Sequence, residues 1–190
     1  MAITYKRIKL KMLTPDFLDT FDRHQEISKV FRAKDGKWLI CDVSYTEEWE
    51  KMKKEQIIDY LRSVIKEKGI LYGAYFDGNL VGFTGVEGKR FGSSRQYVKL
   101  AMIHVSYAFR GRGIGKELFS LAAVSAESLG AKKLYISGNS AVETQTFYRA
   151  MGCVETTEYD PDSLKAEPYD CHLEYDLRSV SRVTPVFMAL

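Results

Sequence analysis

The chain has 190 residues, 45% of them hydrophobic and 28% charged, with a formal net charge of +3. That composition suits one domain with a sizeable core, and so mild a charge argues against a surface built throughout for nucleic acid or membrane. No apolar run is long enough to span a bilayer, and "MAITYKRIKL" lacks the apolar centre of a secretory signal. The three cysteines, Cys41, Cys153 and Cys171, form no C-x-x-C spacing. Reduced thiols, a cytoplasmic location and no metal or disulfide site are therefore expected.

In chain order, Thr14 to Arg32 reads as largely helical, with Thr14 as cap and Pro15 at the first helical position. A short apolar patch, "WLICDV", follows. From Ser44, residues Trp49, Met52, Ile57, Tyr60, Leu61, Val64 and Ile65 recur at i, i+3 and i+4, the stripe of an amphipathic helix. Ser44 with Glu47 is its predicted capping box, and Gly69 its end. The period then changes. "ILYGAYF" and "LVGFTGVEG" flank Asp77-Gly78-Asn79, a hairpin signal, because these residues tolerate the positive φ of a tight turn. Tyr97 to Val105 is nearly all apolar, as a central strand covered on both faces would be. A helix is predicted from Lys116 to Leu129, a buried strand at "KKLYIS", and a further helix through Met151 with Ser140 and Glu143 as capping box and Gly152 as stop. "YDCHLEYDL" alternates like a half-exposed strand. The order predicts an α/β chain with a mixed sheet, rather than a regular βαβ repeat. Residues 1–178 are read as a single domain, and 179–190 as a tail of unassigned role.

Between the central strand and its following helix lies "FRGRGIGKELF", Phe109 to Phe119. A strand entering a Gly-rich turn and then a helix exposes unpaired backbone N–H groups at the positive end of the helix dipole. Glycines let the backbone approach a bulky phosphate, and Arg112 and Lys116 add charge. A diphosphate is the natural ligand. The spacing is not that of a P-loop, since Glu117 follows Lys116, and it misses the dinucleotide fingerprint by one residue. What remains is R-x-x-G-x-G on Arg110, Gly113 and Gly115.

"HVSYAFRGRGIGKELF" resembles the pyrophosphate-binding motif of the GNAT superfamily of acetyl-CoA-dependent N-acetyltransferases, and "NSAVETQTFYRAMGC" resembles that superfamily's next motif. The resemblance extends from roughly Tyr5 to Leu177 in the order of elements. It implies the acyl-CoA N-acyltransferase fold, a central and mostly antiparallel sheet flanked by helices, with acetyl-CoA as cosubstrate and no metal. It also implies that backbone groups of Ile103, His104 and Val105 pair with the pantetheine arm. Amides of Gly111, Arg112, Gly113, Ile114, Gly115 and Lys116 would hold the diphosphate, with Arg110 contributing mainly through its backbone. Tyr148 would protonate the departing thiolate. His104 has the intrinsic pKa of a base, or else packs beside the sheet. Asn139 is a cofactor-contact candidate, although it stands two positions farther from Tyr148 than the motif's usual asparagine.

An amine acceptor would meet the N-terminal region and the last strands, where Arg23, His24, Trp38, Asp42, Asp170, Glu174 and Asp176 are candidates. "GKWLICDVSYTEEW" and "EPYDCHLEYDL" are similar to a bacterial group within the superfamily and imply no particular substrate. The leading expectation is direct acetyl transfer to a primary amine, on a small molecule or peptide, in a ternary complex. Its rival is a non-catalytic acyl-CoA-binding sensor on the same fold. No nucleic acid or membrane partner is expected, and a homodimer would suit such a fold.

Overall fold

A computed structural model describes residues 2–178. The tail at 179–190, and with it the question of its role, lies outside the described residues. Along the chain come β1 (Thr4–Ile8), β2 (Gln25–Lys34), β3 (Lys37–Glu47), α1 (Lys51–Lys66), β4 (Ile70–Phe76) and β5 (Asn79–Phe91). Then follow β6 (Tyr97–Val105), α2 (Ile114–Ser128), β7 (Lys133–Gly138), α3 (Val142–Ala150), β8 (Val154–Glu155), α4 (Pro161–Ala166) and β9 (Cys171–Asp176). Seven strands form one sheet in the order β1-β4-β5-β6-β7-β9-β8, and β2 and β3 form a separate hairpin. Every neighbour pair is antiparallel except β6 and β7. This is the mixed α/β architecture expected, with a mostly antiparallel sheet between helices.

Apolar side chains cover both faces of the sheet. Ile58, Leu61 and Val64 of α1 bury against Leu71, Phe83 and Phe21 on one face, where Phe21 meets Phe83 edge-on at 5.3 Å. Such a contact adds about 0.5–1.5 kcal/mol beyond area burial. On the other face Phe119, Ala122, Ala123 and Ala126 of α2 pack on Val98, Leu100, Leu134 and Ile136, with Tyr148 of α3 beside them.

The N-terminal third departs from the sequence reading. Residues 14–21 form successive single turns, Phe17 N–H to Thr14 O, Asp19 N–H to Asp16 O and Phe21 N–H to Leu18 O, and not a helix. From Gln25 the chain is strand, paired with β3 from Gln25↔Glu47 to Lys34↔Lys37. The turn is Asp35-Gly36, both at positive φ (51° and 73°), the same chemistry that closes β4–β5 at Asp77-Gly78. Ser44 and Glu47 therefore lie in β3 and cap nothing. The helix begins at Lys51 behind an extended Glu50, and Lys68, at φ 68°, takes the left-handed position at its end expected of Gly69. The final strand is also more buried than predicted: Cys171, His172, Leu173 and Glu174 are all inside.

Candidate active site

The parallel pair β6–β7 is hydrogen-bonded only at its start, Tyr97↔Lys133 to Lys99↔Tyr135. Beyond that point the strands diverge. A register shift against β5, where Gly85 faces Met102 but Val86 faces Leu100, adds one residue to β6 at Ala101. Such a bulge bends a strand and raises its twist. It also changes the alternation of side chains, so that His104 faces α1 with Phe83 and Trp49, while Ile103 and Val105 face α2. The edge of β6 from Ile103 to Val105 is thus unpaired toward β7, while its other edge remains bound to β5.

At the end of β6 the chain turns through Tyr107–Phe109 into α2. The α2 N-cap is Gly113 at φ 80°, with no side-chain cap hydrogen bond, so the first-turn amides of a 15-residue helix face outward without a protein acceptor. Gly111 shares the left-handed conformation at φ 74°, and a Cβ built on either glycine would meet nothing within 4 Å. The cradle is open on its outer side, as a bulky anion requires. Lys116 and Arg112 both lie exposed, the Arg112 guanidinium over the Phe109 ring at 5.0 Å. Ile114 packs inward with Ala74, Val81 and Leu118. The Arg110 side chain is not a free surface group: its Nε donates to Val105 O at 3.1 Å, tying the loop back to the strand.

Tyr148 comes to the same wedge from α3. Its ring lies so close over β7 that a Cβ on Gly138 would stand 2.8 Å from Cε2, and its hydroxyl has no hydrogen-bond partner among the described residues. Burial, with Cys153 and Asp170 adding to it, raises the phenol well above its ordinary pKa. The group therefore stays protonated. The β7–α3 junction is held by Gln145, whose Nε2 donates to Gly138 O and Asn139 O. The predicted Ser140–Glu143 box does not form. Asn139 Oδ1 accepts from Ala141 N–H at 2.8 Å instead, and Ser140 Oγ accepts from Arg32.

The opposite face of the wedge is built from side chains. The Asp22 carbonyl accepts from Tyr107 N–H and its own N–H donates to Ser106 Oγ, which fixes the loop carrying Arg23 against the end of β6. Arg23 is buried and ion-paired to Glu47 at 2.7 Å, and Glu47 also accepts from Asn139 Nδ2 at 2.9 Å. Asn139 is thereby engaged at both ends of its amide within the protein. The His104 ring stands edge-on to Trp49 at 4.7 Å. Burial first, then the nearby charges of Arg23 and Arg110, lower its pKa well below the usual histidine value. It is a neutral imidazole. Alternation along β7 sends Leu134 and Ile136 toward α2 and Ser137 toward this face, where its Oγ donates to Asp170 Oδ2 at 3.0 Å.

The remaining acceptor candidates are scattered. His24 is bound to Glu48 at 2.8 Å, Asp42 is exposed on the hairpin, and Trp38 reaches Glu155 at 3.4 Å. Glu174 is buried against Tyr97 and Lys133, and Asp176 pairs with Arg178. Sequence reasoning missed Glu47, Trp49 and Ser137 as parts of this face. The signal that could have found the first two was Asp35-Gly36, a hairpin turn that brings β3 back past Arg23.

The model of the Acetyltransferase (GNAT) family matches residues 30–153. The chain belongs to this family. Its fold is similar to that of nourseothricin acetyltransferase, at 22% identity and TM-score 0.64, covering 92% of this chain and 96% of that one. A candidate streptothricin acetyltransferase of Bacillus anthracis, solved with acetyl coenzyme A, is similar at 18% identity and TM-score 0.66 over 93% and 99% of the two chains. The PaiA N-acetyltransferase of Thermoplasma acidophilum, solved with coenzyme A, gives 13% and 0.57 over 93% and 99%. At these identities the likeness shows the fold. No curated protein matches the sequence. Among the described residues no group of three or more His, Cys, Asp or Glu side chains could hold a metal ion, and no helix is long and apolar enough to cross a membrane.

Proposed function

We propose that this family member transfers an acetyl group from acetyl-CoA directly to a primary amine in a ternary complex. The observation that carries the reading is the wedge between β6 and β7, with the uncapped glycine turn of α2 at its mouth and the unpartnered Tyr148 phenol within it. The complexes of similar proteins with acetyl coenzyme A and coenzyme A support the choice of cosubstrate. Amides from Gly111 to Lys116 would hold its diphosphate, and the open edge of Ile103, His104 and Val105 would pair with its pantetheine arm. The cosubstrate supplies the activated thioester.

Tyr148 holds a proton where sulfur departs. Its raised pKa suits a donor that must remain protonated until negative charge develops on a neighbour. His104, neutral and wedged against Trp49, orients and excludes water rather than acting as a strong base. Asn139 serves the β7–α3 turn and Glu47, so its side chain has no cofactor role in this scheme.

Calorimetric titration with acetyl-CoA, CoA and ATP, then thiol release across an amine panel, tests the reading. The names nourseothricin and streptothricin put acceptors of that kind first in the panel. Acetyl-CoA binding with amine-dependent thiol release is expected. Binding without turnover on any amine would favour a non-catalytic CoA-binding module, and no CoA binding would remove the diphosphate cradle.

A further inference from the structure

We infer that Asp170, positioned by Ser137, receives the ammonium group of the acceptor and takes its proton before attack. The inference rests on the acetyl-transfer reading above, and gives it the proton acceptor that reading lacks.

The geometry begins with β7. Ser137 pairs with His172 across the β7–β9 ladder and Gly138 with Cys171, so Asp170 stands just past the ladder, at the open end of the wedge. Ser137 Oγ donates to Asp170 Oδ2 at 3.0 Å, which fixes one carboxylate oxygen and leaves Oδ1 free to receive an N–H. The carboxylate lies on the face that carries His104 and Glu47, opposite α2 and α3. Tyr148 approaches from that other side, near enough for Asp170 to add to the rise in its pKa. A thioester lodged between the strands would thus have a proton donor on one face and a proton acceptor on the other.

No cation neutralises Asp170 at ion-pair distance among the described residues. Lys99, the cation whose charge acts on it, is engaged with Asp160 at 3.8 Å. The charged groups that face Asp170 are Glu167 on its own loop, Glu47 from β3 and Lys99 from β6, with Arg32 and Arg149 beyond Cys171. Two of the three that act on it directly are acidic, an environment that favours an incoming cation. Burial, followed by the repulsion of Glu167 and Glu47, raises the carboxyl to about 6 against the pull of Ser137 and Lys99. The same desolvation lowers the pKa of a bound ammonium, so donor and acceptor are brought toward each other.

Asp170 takes one proton from the ammonium, and the freed nitrogen lone pair forms the N–C bond to the thioester carbonyl. The C–S bond breaks with its electron pair on sulfur. Tyr148 gives that sulfur its proton and recovers one from the nitrogen, and Asp170 returns its own to solvent. Ammonium and thioester become amide, thiol and one free proton.

Asp170→Asn keeps an acceptor for Ser137 and removes the base. The expected result is a loss of at least about tenfold in kcat/KM for the amine at pH 7, with acetyl-CoA affinity unchanged by calorimetry. The parent's rate should fall on the acid side of about pH 6, and this limb should disappear in the variant. A second readout needs no turnover. A carboxyl raised in the folded state binds more protons there than when unfolded, so its ionisation subtracts stability as pH rises from about 4 to about 6. Asp170→Asn should therefore melt above the parent at pH 8 by a margin that shrinks at pH 4. A variant with parental rate and an intact acid limb, or a margin independent of pH, overturns the proposal. A parent that binds acetyl-CoA but acetylates no amine overturns the function reading, and this role with it. A parent active on an amine with an equally active variant overturns this role alone.

Discussion

The two flanks of the β6–β7 wedge are made of different materials. The flank toward α2 is backbone: an uncapped helix start, two left-handed glycines and a strand edge, with the Arg110 side chain turned back to brace Val105. The flank toward α1 and the hairpin is side chain: Arg23, Glu47, Trp49, His104, Asn139, Ser137 and Asp170, cross-linked by hydrogen bonds and an ion pair. Backbone donors are set by conformation and recognise a diphosphate whatever the neighbouring side chains are. Side chains recognise by charge and shape, so this second flank is where the choice of amine would be made. On the acetyl-transfer proposal, one groove would combine a generic grip with a particular one.

The largest effect that would sharpen the contrast belongs to the residue between the flanks. Tyr148→Phe should lower kcat by about 10²–10⁴-fold, the usual worth of a positioned proton donor, with little change in acetyl-CoA affinity. An unaffected kcat would return Tyr148 to a packing role against Phe119 and Phe147. Next, Gly113→Val imposes a β-branched residue on a φ of 80° and should weaken acetyl-CoA binding by at least about tenfold, roughly 1–2 kcal/mol. The acceptor KM at saturating cosubstrate should not move. Glu47→Gln is the converse. It unpairs Arg23 and should raise the acceptor KM by roughly fivefold, about 1 kcal/mol, and leave calorimetric acetyl-CoA affinity alone. If it weakened acetyl-CoA instead, the division between flanks would be wrong. Smallest is the effect of salt. Raising ionic strength from about 0.05 to about 0.5 M should weaken acetyl-CoA binding by a few-fold, because exposed charges such as Arg112 are screened while amide donors are not. A change of many orders would mean that side chains, not backbone, hold the diphosphate.

The same division explains what the sequence disclosed. The backbone flank is local: strand, glycine turn and helix start are consecutive, and glycine at positions 111 and 113 announces the conformation it permits. Ile103 to Lys116 was legible for that reason, as was the β4–β5 hairpin from Asp77-Gly78. The side-chain flank is assembled from segments far apart, and its nearest part was misread. Phe17, Leu18 and Phe21, and again Ile27, Val30 and Phe31, are spaced by threes and fours and so imitate a helix. In the structure the spacing between Ile27 and Val30 accompanies a register shift against β3, after which Val30 rather than Lys29 is buried. Asp35-Gly36 carried the correction. The burial of β9 had no local sign, because Glu174 is hidden by partners at Tyr97 and Lys133 that no alternation pattern reveals.

The hairpin's attachment has a consequence of its own. Ile27 and Val30 form a small buried cluster with Ala141 that is separate from the two large ones beneath α1 and α2. Its other fastenings include a bridge from Val30 to Ala141, Phe31 N–H to Ser140 O, Arg32 to Ser140 Oγ, Trp38 to Glu155, and Glu47 to both Arg23 and Asn139. None of these contacts enters the cores beneath α1 and α2, so the strands between them can be rewritten without touching either core. Residues 25–46 are accordingly a natural cassette for a library: on the acetyl-transfer proposal, replacing them would recast the face offered to the acceptor while Glu47 and both large cores stayed in place.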